Sequence, residues 1–365
     1  MILDPQLTER RLIEQFLDVL RELPDVHAQL KALENAGPSG DTGRDAEIDV
    51  EIAGKALTLF VEAKKSVYPR DVRQVLWQIR QFGSDRRLGE RDDAVSVLVA
   101  ESISPGAKEL LREERVGYYD SGGSLFLPAR GAYLYIDKPP PKTLAKAVRT
   151  LFSGRRAQVL HTLLIHHQDW FGVKTLAEKA MVSPATASQT LTELERFDWL
   201  TSRGQGPNKE RRLLEPGSLL DAWAQQLASL RPPGLRRYYV PSTDAEKLID
   251  RIGHVCDAHE VEYAITHEAA AQRYTPFLSS ISQVRCRMLA GRAAEAAIGE
   301  LDARVVSEGA NLVILEAKSH GDFLFRERVK DAWLASPIQV YLDLLRGEGR
   351  GKEMAEHLRH EKVGF

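Results

Sequence analysis

Hydrophobic and polar positions change period several times along this chain, and each change predicts an element. From 47 to 52 they alternate, with Ile48, Val50 and Ile52 on one face and Glu47, Asp49 and Glu51 on the other, as a half-buried strand requires. Ala53 and Gly54 predict a turn. The stretch 57–64 then predicts a returning strand with Leu57, Leu59, Val61 and Ala63 inward and Glu62 and Lys64 on the opposite face, so that Asp49 meets Glu62 across the hairpin. Upstream, 7–20 has helical spacing, with Leu12, Ile13, Phe16, Leu17 and Leu20 in one stripe; Glu9 lies on that stripe and Glu14 off it. Downstream, Val72, Val75, Leu76 and Ile79 predict a helix over 71–82, with Gln74 and Gln78 opposite its buried stripe. An apolar run over 94–100, broken only by Ser96, predicts a buried central strand, and a helix over 105–114 follows. Asp120-Ser121-Gly122-Gly123 is a turn signal between Tyr118-Tyr119 and short strands at 124–127 and 133–136. Three successive prolines, Pro139 to Pro141, then mark a domain boundary.

The pattern differs from about 144 to 223, where it resembles a winged helix-turn-helix. A helix over 155–167 is followed by Thr175, which predicts the N-cap of a short helix over 176–180. Met181-Val182 turns the chain. Ser183-Pro184 opens the next helix with a cap and a first-turn proline. Within it Ala187, Leu191 and Leu194 face inward, while Ser188, Gln189 and Thr192 face out, as base-edge and phosphate contacts in a major groove require. Short strands at 200–202 and 211–214 flank a loop carrying Arg203, Lys209, Arg211 and Arg212 against Glu210, a net positive patch suited to the DNA backbone.

Arg231-Pro232-Pro233-Gly234 predicts a second boundary, giving units at 1–138, 143–230 and 235–365. In the last, 244–258 predicts a helix, 263–274 a strand running into a helix, and 283–290 and 311–315 strands. Glu316-Ala317-Lys318 repeats Glu62-Ala63-Lys64, but Gly309 to Asn311 replaces the earlier strand spacing, so no second metal site is expected. His161, His166 and His167 read as packing or surface residues because no carboxylate or cysteine has zinc-like spacing to them.

Composition narrows the class. With 365 residues, 43% hydrophobic, 28% charged and a net charge of -2, the chain reads as an ordinary folded protein of two or three domains. No apolar run spans a membrane. The start has no basic end followed by an apolar stretch, and Cys256 and Cys286 are the only cysteines, so a cytoplasmic protein without a cysteine-built metal site is expected.

Asp49, twelve intervening residues and Glu62-Ala63-Lys64 resemble the PD-(D/E)xK nuclease superfamily, especially its Holliday-junction-resolvase-like members. That resemblance implies a restriction-endonuclease-like α/β sheet domain. In it Asp49 and Glu62 hold Mg²⁺, Lys64 assists the attacking water, and Glu9 supplies a further acid from the first helix. Gln74 and Gln78 match the superfamily's glutamine after the lysine and read equally as an exposed polar face. From about 144 onward the chain resembles AbiEi-type antitoxins of type IV toxin-antitoxin systems, through Tyr263 to Tyr274, Ser336-Pro337-Ile338-Gln339 and Gly349-Arg350-Gly351-Lys352-Glu353. That resemblance implies a C-terminal α+β domain compared with nucleotidyltransferases, here without the Gly-Ser and paired aspartates that transfer needs.

The expected protein is therefore an α/β multidomain, DNA-binding transcriptional regulator with a nuclease-like N-terminal domain. Its expected partners are double-stranded DNA, bound as a homodimer, and a cognate toxin or other protein. A Mg²⁺-dependent nuclease delivered by the winged helix, and a protein-binding scaffold acting through the C-terminal domain, are the alternatives.

Overall fold

The computed structural model describes residues 5–33, 45–83, 94–129, 132–228, 230, 234–242, 244–317, 319–347 and 349–365. The expected boundary at 231–233 and the lysine of the second Glu-Ala-Lys, Lys318, lie outside them. The chain divides into two compact units, residues 1–151 with 192–198, and residues 152–191 with 199–365.

The first unit opens with α1 (Pro5–Glu22), β1 (Val26–Leu33), β2 (Ala46–Ile52), β3 (Lys55–Val67) and α2 (Pro69–Gly83). It continues with β4 (Ala94–Ile103), α3 (Pro105–Glu113), β5 (Gly117–Asp120), β6 (Leu125–Ala129), β7 (Ala132–Ile136) and α4 (Lys142–Leu151). The seven strands lie side by side in chain order; β3–β4 and β4–β5 are parallel and the other pairs antiparallel. The parallel steps are the ones that need crossovers, supplied by α2 and α3. Alternation sends Ile48, Val50, Leu59 and Val61 to one face, where they pack with Leu12, Ile13, Phe16 and Leu20 of α1. On the other face Leu98, Ala100 and Ile103 of β4 pack with Val72 and Val75 of α2 and with Ala107 and Leu111 of α3. Lys108 and Asp120 form a buried ion pair at 2.7 Å. Strand β1, not predicted, shows its signal in retrospect: Val26, Ala28 and Leu30 are covered, while His27, Gln29 and Lys31 between them are exposed.

The second unit begins with α5 (Gly154–Ile165), α6 (Val173–Lys179), the part of α7 (Pro184–Arg196) before Thr192, β8 (Leu200–Arg203), β9 (Glu210–Leu213) and α8 (Pro216–Ala228). Its α/β part runs through β10 (Leu235–Tyr239), α9 (Ala245–Ala258), β11 (Tyr263–Thr266), α10 (His267–Tyr274), β12 (Val284–Leu289) and α11 (Arg292–Glu300). It ends with β13 (Arg304–Val305), β14 (Leu312–Ala317), β15 (Glu327–Val329), β16 (Ala332–Leu334), α12 (Pro337–Leu344) and α13 (Gly351–Leu358). The strand order is β13-β10-β14-β12-β11-β16-β15, with β12–β14 and β11–β16 parallel. Two helices start where a side-chain cap sits: Asp244 accepts from Lys247 N at 2.8 Å, and Ser336, just before Pro337, accepts from Gln339 N at 3.1 Å. No helix among the described residues is long and apolar enough to cross a membrane.

Candidate functional site

The hairpin β2–β3 forms where its alternation and the Ala53-Gly54 turn predict, but its register differs from the expected one. Asp49 pairs with Thr58 and accepts a hydrogen bond from the Thr58 hydroxyl at 3.0 Å. Glu62 lies four residues farther along β3, about 13 Å at roughly 3.3 Å per residue, so Asp49 and Glu62 cannot share a cation through their carboxylates. The reason is the tight turn: with Ile52 opposite Lys55, every later partner is fixed by counting back from it. The same count sets Asp45 beside Glu62. Asp45 N donates to Val61 O at 2.8 Å, and Asp45 Oδ2 accepts from Ala63 N at 2.6 Å.

Glu62 and Lys64 are on one face of β3, as expected, with Nζ and Oε1 2.7 Å apart. Glu62 keeps 13% of its side chain exposed and Lys64 30%. Glu9 is half-buried on α1, and α1 packs on the opposite face of the sheet. Asp49 itself is exposed, and Lys31 of β1 lies 3.8 Å from it and 2.7 Å from Glu47. Gln74 is exposed on α2; the side chain of Gln78 lies outside the described ones. Among the described residues no group of three or more His, Cys, Asp or Glu side chains is arranged to hold a metal.

In the second unit, α5 is followed by an isolated bridge between Phe171 and Arg211, then α6, α7 and the β8–β9 hairpin. Helix α6 starts after Gly172, so Thr175 lies inside it rather than capping it. Met181 turns the chain into α7 in the left-handed region, at φ 53°. Ser183 caps α7, its Oγ accepting from Thr186 N at 3.2 Å. Ala187, Leu191 and Leu194 are buried, which leaves Ala185, Gln189, Thr192 and Arg196 as an exposed stripe at helical spacing; Ser188 is half-buried.

Not every basic residue of the hairpin is available. Along β9, Arg211 and Leu213 face inward and are buried, while Glu210 and Arg212 face outward. Arg211, expected at the phosphates, is therefore a packing residue. Arg203 pairs with Glu210 at 2.7 Å, and Lys209 is half-buried. Trp170, which the sequence reading missed, holds the outward cations: the guanidinium carbons of Arg203 and Arg212 lie 4.4 and 5.0 Å from its ring centre. Its signal was an aromatic pair, Trp170-Phe171, interrupting a polar loop. At the tip, Gly204 takes φ 72°, and a Cβ there would lie 2.5 Å from Asn208 O.

A polar cluster in the α/β part also escaped prediction. The carboxylate of Asp343 on α12 accepts from the Thr266 hydroxyl at 2.5 Å, from Arg287 Nη2 at 2.5 Å and Nε at 3.0 Å, and from Gln339 Nε2 at 2.9 Å. Burial pushes its pKa up, but the charges of Arg287 and His267 and the hydrogen bonds from Arg287 and Thr266 outweigh burial and hold it below the usual carboxylate range. His267 opens α10 in the left-handed region, at φ 55°. Burial pushes its pKa down to about 4, and its Nδ1 has no hydrogen-bond partner among the described residues.

Residues 212–363 match the family described as transcriptional regulator, AbiEi antitoxin, type IV TA system. Comparison with curated proteins and with solved structures gave no match. The AbiEi match supports an antitoxin or regulator role; it starts in β9 and takes in α8 and the α/β part of the second unit, with the Asp343 cluster inside it. The AbiEi segment is joined to α5 by packing. His161 Nε2 lies 2.6 Å from Ser336 Oγ, and Phe325 packs between the rings of His161 and His166, at 5.3 and 5.7 Å.

Proposed function

We propose that the chain is a DNA-binding transcriptional regulator of the AbiEi-antitoxin type, whose residues 154–214 act as a winged helix-turn-helix. The observation that carries this is the exposed stripe of α7, with Gln189 and Thr192, together with a hairpin whose outward cations Arg203 and Arg212 rest on Trp170. A capped helix presenting small polar side chains can read base edges, and cations on a rigid hairpin can neutralise phosphates. Two copies on a palindromic site supply the specificity that one recognition helix lacks, so the bound form is a homodimer. The AbiEi segment is the surface for a cognate toxin or another protein partner.

The domain carrying that segment reads as nucleotidyltransferase-like and non-catalytic. The strand following the β11–α10 turn, β12, carries Arg285 and Arg287 at alternate positions, where transfer chemistry calls for paired aspartates. The test is fluorescence anisotropy of the full chain on duplex DNA from its own upstream region across a salt series. Expected are affinity that falls with rising salt, a uniform loss in Arg212→Ala and an altered sequence preference in Gln189→Ala. No retention of DNA at low salt sinks the reading.

A second reading is favoured by one observation, the placement of Asp45 beside Glu62. In it the first unit is a PD-(D/E)xK-like nuclease in which Asp45 and Glu62 hold Mg²⁺ and Lys64 assists the attacking water. Cleavage of the same duplex with Mg²⁺, lost in Glu62→Gln, is its test. Intact DNA under all conditions returns the unit to a non-catalytic role.

A further inference from the structure

We infer that the second unit binds an uncharged, flat heteroaromatic molecule of the nucleobase class, in a cavity of about 450 Å³ bordered by α5, α8, α12 and residues 319–322. Two aromatic side chains of its lining are deeply buried. His161 and Trp223 keep only 8% and 5% of their surface exposed, and their rings meet edge to face with centres 6.3 Å apart. His161 uses one nitrogen within the fold, Nε2 lying 2.6 Å from Ser336 Oγ, and Trp223 makes ring contacts alone, to His161 and Phe152. Among the described residues, neither His161 Nδ1 nor the indole N–H of Trp223 has a hydrogen-bond partner. Polar groups so deeply buried are ordinarily bonded, so two open ones in the lining of one cavity point to a ligand that completes them. A neutral imidazole has one donor and one acceptor nitrogen, and the Ser336 hydroxyl can serve Nε2 in either sense, so Nδ1 can meet a donor or an acceptor.

Two carboxamides complete the lining. Gln158 lays its amide across Gly321, where a Cβ would fall 1.3 Å from Gln158 Nε2, so only glycine admits it. Its Oε1 is buried and has no partner among the described residues. Gln339 is held from the far side, its Nε2 donating to Asp343 Oδ1 at 2.9 Å, which turns the amide oxygen into the group it can offer a ligand. One indole donor, two amide oxygens and an adaptable imidazole nitrogen together suit a ring edge that carries both donors and acceptors, as a nucleobase does. The deep polar groups are also neutral: burial pushes the His161 pKa down to about 4, so its ring is uncharged at pH 7. Charges lie at the rim, where Arg155, His320 and Asp322 are exposed. An ion placed beside His161 and Trp223 would be buried without a counter-charge, whereas a flat neutral heterocycle stacks on the rings and bonds at its edge. The volume falls within the range of small-ligand sites. An occupant touches α5 of the helix-turn-helix segment and α12 of the AbiEi segment at once.

Isothermal titration of the full chain, with no DNA present, tests this with adenosine, guanosine, cytidine and uridine, and with toluene and inorganic phosphate as controls. At least one nucleoside is expected to bind, and toluene and phosphate are not. Trp223→Phe keeps the ring and removes only its N–H; Gln158→Leu keeps the bulk and removes the amide. Each should weaken binding of the preferred nucleoside by about three- to tenfold, the scale of one neutral hydrogen bond, without lowering the melting temperature, because neither group is bonded within the fold. Gln158 is only half-buried, so its variant decides the matter if Trp223→Phe disturbs folding by circular dichroism. No heat from any nucleoside at millimolar concentration, toluene or phosphate binding as tightly as the best nucleoside, or full affinity in folded Gln158→Leu overturns the proposal.

Discussion

Glu62 with Lys64 in the first unit, and Asp343 with Arg287 in the second, each set an acid against a cation on a sheet, yet they differ in every respect that matters. The first pair is two residues apart on one strand, 2.7 Å between charges and partly open to water. The second joins β12 to α12 across 56 residues at 2.5 Å, with Asp343 almost fully buried. Strand periodicity makes the first pair legible in the sequence and leaves it weak, because water competes for both charges. Long-range folding creates the second pair, and the same burial makes its loss costly. In this chain the charge pattern easiest to read is not the one on which the fold depends most.

The largest effect should come from breaking the buried pair. Asp343→Ala leaves Arg287 without its carboxylate and is expected to destabilise the second unit by about 3 kcal/mol or more. Glu62→Gln should cost the first unit less than about 1 kcal/mol. Hydrogen exchange of the β11–β12 and β2–β3 amides reads the two separately, and equal losses at both would dissolve the comparison.

Acid sharpens it next. Burial pushes both His161 and His267 down to about 4, whereas an unfolded histidine titrates near about 6.5. Between those values the unfolded chain binds more protons. Stability of the second unit should therefore be full above about pH 6.5, decline as pH falls toward 4 and lose no more to these groups below that. His161→Gln should flatten the slope; an unchanged pH profile would falsify the assignment of buried neutral imidazoles.

The hairpin offers a smaller contrast between an outward-facing cation and a buried one on the same strand. Trp170→Ala removes the ring against which Arg203 and Arg212 rest and should weaken the proposed DNA binding by about two- to fivefold, the scale of exposed cation–π contacts. Arg211→Ala should instead lower the melting temperature and leave the salt dependence of binding unchanged, because Arg211 is buried. A reduced salt slope in Arg211→Ala would return it to the phosphates.

The smallest effect is expected at the β2–β3 acids. If Asp45 and Glu62 share Mg²⁺, millimolar metal should raise the melting temperature by a degree or a few, as mass action on a weak site does. Asp45→Asn should abolish that shift and Asp49→Asn should retain it. The reverse pattern would show that the hairpin register, not the choice of acid, has been misjudged.

Elements governed by neighbours in sequence were legible. The alternation at Ile48, Val50 and Ile52, the stripe of Leu12, Phe16 and Leu20, the Ser183 cap, the helix expected over 244–258 and the strand running from Tyr263 into a helix all appear where the pattern places them. Periodicity and capping are local, so a single chain displays them. The sidedness of Glu62 and Lys64 was equally readable. Which acid stands opposite Glu62 was not, since one turn fixes the register of the whole hairpin and the alternation of Glu47, Asp49 and Glu51 is indifferent to slips of two residues.

What the sequence by itself determined is therefore which face each side chain takes on its own element. Only the tertiary structure decided which faces meet: α1 and the Glu62–Lys64 pair on opposite sides of one sheet, Arg211 inside its hairpin, Trp170 under two guanidiniums, and Thr266, Arg287, Gln339 and Asp343 joined from three elements. The physical reason is that periodicity constrains one element at a time. Register, burial and long-range ion pairing are properties of two elements together, selected by the packing of the whole core.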